Sequence, residues 1–155
     1  MIRHARQQAV PGIGPEGQAR IAAAHALVIG AGGLGVPVLH YLVGAGIGRI
    51  TLLDPDRVEV TNLHRQPLYG VADIGRPKAL AAADALARLD PGPRIDARPV
   101  ALDAAMAPAL VAAADVVLDC ADSHAASYIL SDCCLAQGRP LIHAAALGMS
   151  GHVAG

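Results

Sequence analysis

Short apolar runs rich in Val, Ile and Leu alternate along this chain with longer, Ala-rich segments of helix length. The runs predict strands over residues 26–29, 49–54, 95–100, 116–119 and 141–143, and the segments between them predict helices over 34–45, 77–89, 103–114 and 125–137. Strand and helix in repeated alternation indicate an α/β class: a Rossmann-like, doubly wound, mainly parallel sheet with helices on both faces and right-handed crossovers. Pro77 suits a first helical position, where its missing N–H costs nothing, and Gly138 suits a left-handed cap after the last helix. Residues 1–24 are more polar, and Gly14-Pro15-Glu16-Gly17 marks a turn leading into a helix through residues 21–24. They read as an N-terminal helical arm on a single domain spanning 1–155.

The stretch 26–48 has no Asp, Glu, Lys or Arg and is long enough to cross a bilayer. Seven glycines, Pro37 and a β-branched start break it instead into strand, turn and helix. The turn is Gly30-Ala31-Gly32-Gly33-Leu34-Gly35, and the next strand ends at Asp54. Between a strand and a helix, this Gly-x-Gly-x-x-Gly spacing predicts a nucleotide site. Gly30 permits the tight turn, Gly32 lets the backbone approach a phosphate chain, and Gly35 lets helix and strand pack closely. Gly33 belongs to the same nucleotide-facing turn. The first helical amides favour an anion there, and Asp54 is placed to accept hydrogen bonds from ribose hydroxyls. A glycine-rich packing turn without a ligand is the alternative reading of the same spacing.

Composition narrows the field. The 155 residues suffice for one core, and 54% hydrophobic content with only 2% aromatic residues suggests Ala-rich helices lying close to a sheet. A formal charge of −1 disfavours non-specific binding to nucleic acid or anionic membranes. Cys120, Cys133 and Cys134 form no Cys-x-x-Cys pair, no secretory leader is apparent, and a cytoplasmic location is expected. Cys120 reads as a core thiol, and the seven His residues lack metal-ligand spacing. The connection from Asp54 to Pro77 shows little sign of a regular element over its second half; a long loop at the carboxyl end of a strand is usually functional.

Six ordered motifs carry a resemblance: Arg3-His4-Ala5-Arg6-Gln7, Gly30 to Gly35, Leu53-Asp54-Pro55-Asp56, Asn62-Leu63-His64-Arg65-Gln66, Gly75-Arg76-Pro77-Lys78 and Val117-Leu118-Asp119-Cys120-Ala121-Asp122. Together they resemble the MoeB/ThiF/HesA adenylyltransferases, bacterial relatives of the ubiquitin-activating enzymes. The resemblance implies that Mg-bound ATP activates the C-terminal carboxylate of a small ubiquitin-like sulfur carrier ending in Gly-Gly, of molybdopterin or thiamine biosynthesis, with release of pyrophosphate. A C-terminal carboxylate has an ordinary pKa of about 3.3–3.7 and needs no general base at neutral pH. The reaction needs positioning and positive charge instead. Arg65 and Lys78 would supply that charge, Asp122 would hold Mg²⁺, and Asn62 and Gln66 would add neutral hydrogen bonds beside Asp54 and Asp56. Asp119 is read as a loop or helix cap. By the same resemblance Arg6 reaches the ATP of a partner subunit, which implies a homodimer.

Two departures stand out. Ala121-Asp122-Ser123, followed by His124, replaces the usual Thr-Asp-Asn, and the chain ends at Gly155 where the family continues. The expectation is therefore a domain lacking the family's C-terminal half, with structural zinc only in a longer form. Competing readings are an NAD-dependent oxidoreductase, a truncated non-catalytic dimerisation or carrier-binding module, and a relative that adenylates a modified tRNA base, which the low charge makes less attractive.

Overall fold

The computed structural model describes residues 3–155. Strands β1 (His25–Ile29), β2 (Arg49–Leu53), β3 (Arg94–Arg98), β4 (Val116–Asp119), β5 (Leu141–Leu147) and β6 (Ser150–Ala154) form one sheet in the order β3-β2-β1-β4-β5-β6. The first five are parallel and β6 is antiparallel to β5. β1 lies between β2 and β4 and every one of its residues is buried, which explains an apolar run without alternation. Its one polar residue is satisfied: the His25 ring nitrogens lie 2.7 Å from the Ala113 carbonyl and 2.9 Å from the Thr51 hydroxyl. β3, at the sheet edge, alternates Arg94, Asp96 and Arg98 with apolar residues, and Arg98 pairs with Asp96 at 2.7 Å.

The helices are α1 (Ala5–Gln8), α2 (Gly14–Ala23), α3 (Gly35–Ala45), α4 (Lys78–Leu89), α5 (Ala107–Ala113) and α6 (His124–Gln137). Alternate residues of each strand point to opposite faces. Val28, Ile50 and Leu52 meet Leu39 and Val43 of α3 and Leu86 of α4, while Leu27, Ile29 and Val117 meet Leu110 of α5 and Leu130 of α6. The doubly wound architecture expected from the sequence is thus present, with a core on each face. No helix among the described residues is long and apolar enough to cross a membrane, and residues 26–48 divide into β1, the glycine turn, α3 and the approach to β2.

Local details differ from expectation. Pro77 is the N-cap of α4, with ψ 128°, and the helix starts at Lys78. Gly138 is the left-handed cap anticipated, with φ 61°. β5 runs four residues beyond its expected end and turns through Gly148 (φ 58°) into β6, a strand not foreseen. Ala144, Ala145 and Ala146 have weak strand propensity, and their pairing with β6 decides their conformation. The N-terminal arm docks on the far end of α3, where Gln7 and Gln18 both donate to the Ala45 carbonyl, at 3.0 and 2.9 Å. The last carbonyls of a helix have no partner within it, so two carboxamides satisfy one such group.

Candidate functional site

The carboxyl ends of β1, β2 and β4 converge on the glycine turn. Gly30 has φ 94°, and a Cβ there would lie 2.7 Å from the Cys120 carbonyl oxygen. A Cβ at Gly35 would run into the Gly30 carbonyl, so this glycine is required by strand-to-helix packing. Gly32 and Gly33 differ. A Cβ at Gly32 would come no closer than 3.7 Å, to Gln66 Nε2, and at Gly33 no closer than 3.5 Å, to Arg65 Cδ. Internal packing does not demand glycine at either position. Their backbone faces the two side chains that the Asn62–Gln66 motif contributes, just ahead of the amino end of α3.

Asp54 is 4% exposed. Its Oδ2 accepts the Ala31 N–H at 2.7 Å and its Oδ1 the Asp56 N–H at 2.8 Å. Burial raises its pKa above the ordinary 3.8, against the lowering effect of those amides and of Lys78. Each oxygen keeps a further lone pair for a hydroxyl donor. Lys78, 6% exposed, is held by Asp56 with Nζ 2.8 Å from Oδ2, and its N–H donates to the Asp56 carbonyl at 2.9 Å. This pairing follows from a short antiparallel bridge between Arg57 and Pro77, supported by Val58 N–H to Arg76 O and Gly75 N–H to Val58 O.

The connection, expected to show little regular structure over its second half, carries short elements in both halves. After the bridge comes a 3-10 turn at Val60–Asn62, in which Asn62 Oδ1 accepts the Glu59 N–H at 3.1 Å, and another follows at Val71–Asp73. Asn62 is buried and shapes the loop. Gln66 is 2% exposed, and its buried Oε1 has no hydrogen-bond partner among the described residues. Arg65 is exposed, donates to the Thr61 carbonyl at 3.2 Å, and borders a groove with Gly33, Pro37 and His40.

On the β4 side, Asp122 is exposed and forms no ion pair among the described residues. Asp119, 1% exposed, accepts the Ala121 N–H at 3.2 Å and lies 2.8 Å from His143 Nδ1, so it shapes the loop that carries Asp122. Ser123, one of the departures from the family pattern, is the N-cap of α6 and accepts from the Ala126 N–H. Burial pushes the Cys120 thiol up to about 11, leaving it neutral at pH 7. Arg6 is not brought to this site: it is exposed on α1, beside the far end of α3, and that helix alone is roughly 16 Å long at 1.5 Å per residue. Sequence reasoning missed Tyr69, whose buried hydroxyl donates to the Ala31 carbonyl at 2.8 Å. An isolated aromatic residue just after the Asn62–Gln66 motif, in a chain with three tyrosines and no Phe or Trp, was the available signal.

The model of the ThiF family matches residues 4–155. The chain belongs to the ThiF family. Among curated members, a sulfur carrier protein adenylyltransferase from Thermus thermophilus is 46% identical over 98% of this chain and 56% of its own length. The mouse adenylyltransferase and sulfurtransferase MOCS3 is 46% identical over 99% of this chain and 33% of its own length. The chain thus spans about half of the first relative and a third of the second. Among solved structures, the tRNA N6-threonylcarbamoyladenosine dehydratase TcdA of E. coli, in complex with ATP, has a TM-score of 0.80 and 29% identity over 84% of this chain and 54% of that chain. E. coli MccB is similar at a TM-score of 0.76 and 28% identity over 83% of this chain and 38% of that one.

Proposed function

We propose that this protein adenylates the C-terminal glycine carboxylate of a small ubiquitin-like sulfur-carrier protein, with ATP as the donor and pyrophosphate as the second product. The names of the relatives support the reaction class, and the complex of TcdA with ATP supports the nucleotide. The observation that carries the reading for this chain is Gln66. Its buried amide oxygen has no hydrogen-bond partner among the described residues, its amide nitrogen lies 3.7 Å from where a Cβ at Gly32 would stand, and a nucleotide on the glycine turn would bring polar groups to this amide.

In the proposed reaction a carrier carboxylate oxygen attacks the α-phosphorus of ATP. A carboxyl-oxygen-to-phosphorus bond forms, the bond to the bridging oxygen of the β-phosphate breaks, and pyrophosphate leaves with the electron pair. The carboxylate is ionised already, so the protein's task is to align the two anions and offset their charge. The glycine-turn amides and the amino end of α3 take the phosphates, and Asp54 takes the ribose. Arg65 forks onto phosphoryl oxygens, and Lys78 leaves Asp56, or shares it, to meet the charge that develops. Asp122 would hold Mg²⁺, which would supply positive charge to offset that of the phosphates. In a homodimer Arg6 would serve the partner's nucleotide, since it lies at the wrong end of α3 for its own. Arg65 and Lys78 around the turn have a role in phosphoryl transfer and none in hydride transfer, which favours this reading over an NAD-dependent oxidoreductase.

The test is carrier-dependent exchange of labelled pyrophosphate into ATP by the protein as its gene encodes it. Arg65→Ala and Lys78→Ala are each expected to lower exchange at least 100-fold, about 2.7 kcal/mol of transition-state stabilisation. Near-parental exchange in both variants would sink the site assignment.

A further inference from the structure

Ala31 is fully buried between Gly30 and Gly32, and both of its backbone polar groups are held by side chains from other segments. Its N–H donates to Asp54 at the end of β2 and its carbonyl accepts the Tyr69 hydroxyl from the loop before α4, at 2.7 and 2.8 Å. The connections continue into a circuit: Asp54 accepts from the Asp56 amide, Asp56 pairs with Lys78 Nζ, and the Tyr69 hydroxyl lies 3.4 Å from the Lys78 carbonyl. Tyr69 closes that circuit. Burial, with the Asp54 and Asp73 carboxylates nearby, holds the hydroxyl protonated far above the ordinary tyrosine range, so it is a permanent donor.

A residue flanked by two glycines sits in the most freely rotating part of the backbone, and an anion site made of amides works only if those amides are already oriented. We infer that Tyr69 is a positioning residue for nucleotide binding: by holding the Ala31 carbonyl it orients the Gly32 and Gly33 amides and ties them to the segment that carries Lys78. The inference rests on the nucleotide site proposed above.

The experiment compares Tyr69→Phe, which keeps the ring and removes the donor, with Leu86→Val, which loosens the fully buried core under α4 without touching the turn. In the protein as its gene encodes it, amide hydrogen exchange at Ala31, Gly32 and Gly33 is followed without nucleotide, and Mg-ATP affinity by calorimetry. Tyr69→Phe is expected to speed exchange at those amides about tenfold and to weaken Mg-ATP about tenfold, a shift of ~1.4 kcal/mol, with Leu86→Val within about twofold of the parent on both. Parental exchange rates and affinity in Tyr69→Phe, or equal changes in Leu86→Val, overturn the assignment. A parent that fails to bind Mg-ATP overturns the proposed function and the binding role of Tyr69 together. Normal parental binding that Tyr69→Phe leaves unchanged overturns the role of Tyr69 alone.

Discussion

A side chain at Gly35 would collide with the Gly30 carbonyl, whereas one at Gly32 would meet nothing closer than the Gln66 amide nitrogen at 3.7 Å. The two glycines of one motif are therefore separable by experiment. Gly35→Ala is expected to cost about 2–3 kcal/mol of stability in urea unfolding, the range of an overpacked contact that backbone must relieve. Gly32→Ala is expected to stay within about 0.5 kcal/mol of the parent in the same measurement yet weaken Mg-ATP at least tenfold, because its cost falls on the ligand. Equal stability losses in the two variants would contradict this division. The same distinction applies to polar residues of the site. Asn62 and Asp119 use their side chains on nearby backbone amides, while the buried Gln66 Oε1 has no hydrogen-bond partner among the described residues.

At the scale of elements, the expected strands and helices are present because each rests on short-range information: apolar runs long enough for a buried strand, and glycines or prolines where the backbone must stop. Gly138 illustrates this. It ends α6 at φ 61°, with the Arg139 N–H bonded to the Cys134 carbonyl at 2.9 Å, and a Cβ there would meet no atom within 4 Å. Gly138→Ala should therefore lose only the left-handed backbone cost, about 1 kcal/mol by urea unfolding, with Mg-ATP affinity unchanged. A loss near zero would mean that the cap relaxes to another conformation. Elements whose conformation is set by a distant partner were not legible. Ala144 to Ala146 become strand by pairing with His152 and its neighbours, and Pro55 to Val58 are ordered by the bridge between Arg57 and Pro77.

Across the whole molecule, the decisive arrangement is that α3 has the glycine turn at one end and the N-terminal arm at the other. Under the proposed function Arg6 serves the nucleotide of another subunit, and mixing inactive variants tests that dimer. Arg6→Ala and Lys78→Ala should each be inactive alone. Re-associated in equal amounts they should recover about a quarter of parental pyrophosphate exchange, since half the dimers are mixed and each of those carries one intact site. No recovery, with exchange of subunits verified, would place the Arg6 role within its own chain or nowhere. The amino-acid sequence by itself determined the order of the five parallel strands and the helices between them, the glycine turn and the family, because burial periodicity, φ requirements and motif spacing are local properties read along the chain. Only the tertiary structure decided that Lys78 rests on Asp56, that Tyr69 and Asp54 grip the two sides of Ala31, that Gln66 is buried with its amide nitrogen near Gly32 and its oxygen unpaired, and that Arg6 lies beside the far end of α3. Each of these depends on which segments the sheet order sets side by side, and that order follows from the joint burial of both sheet faces rather than from any one stretch of sequence.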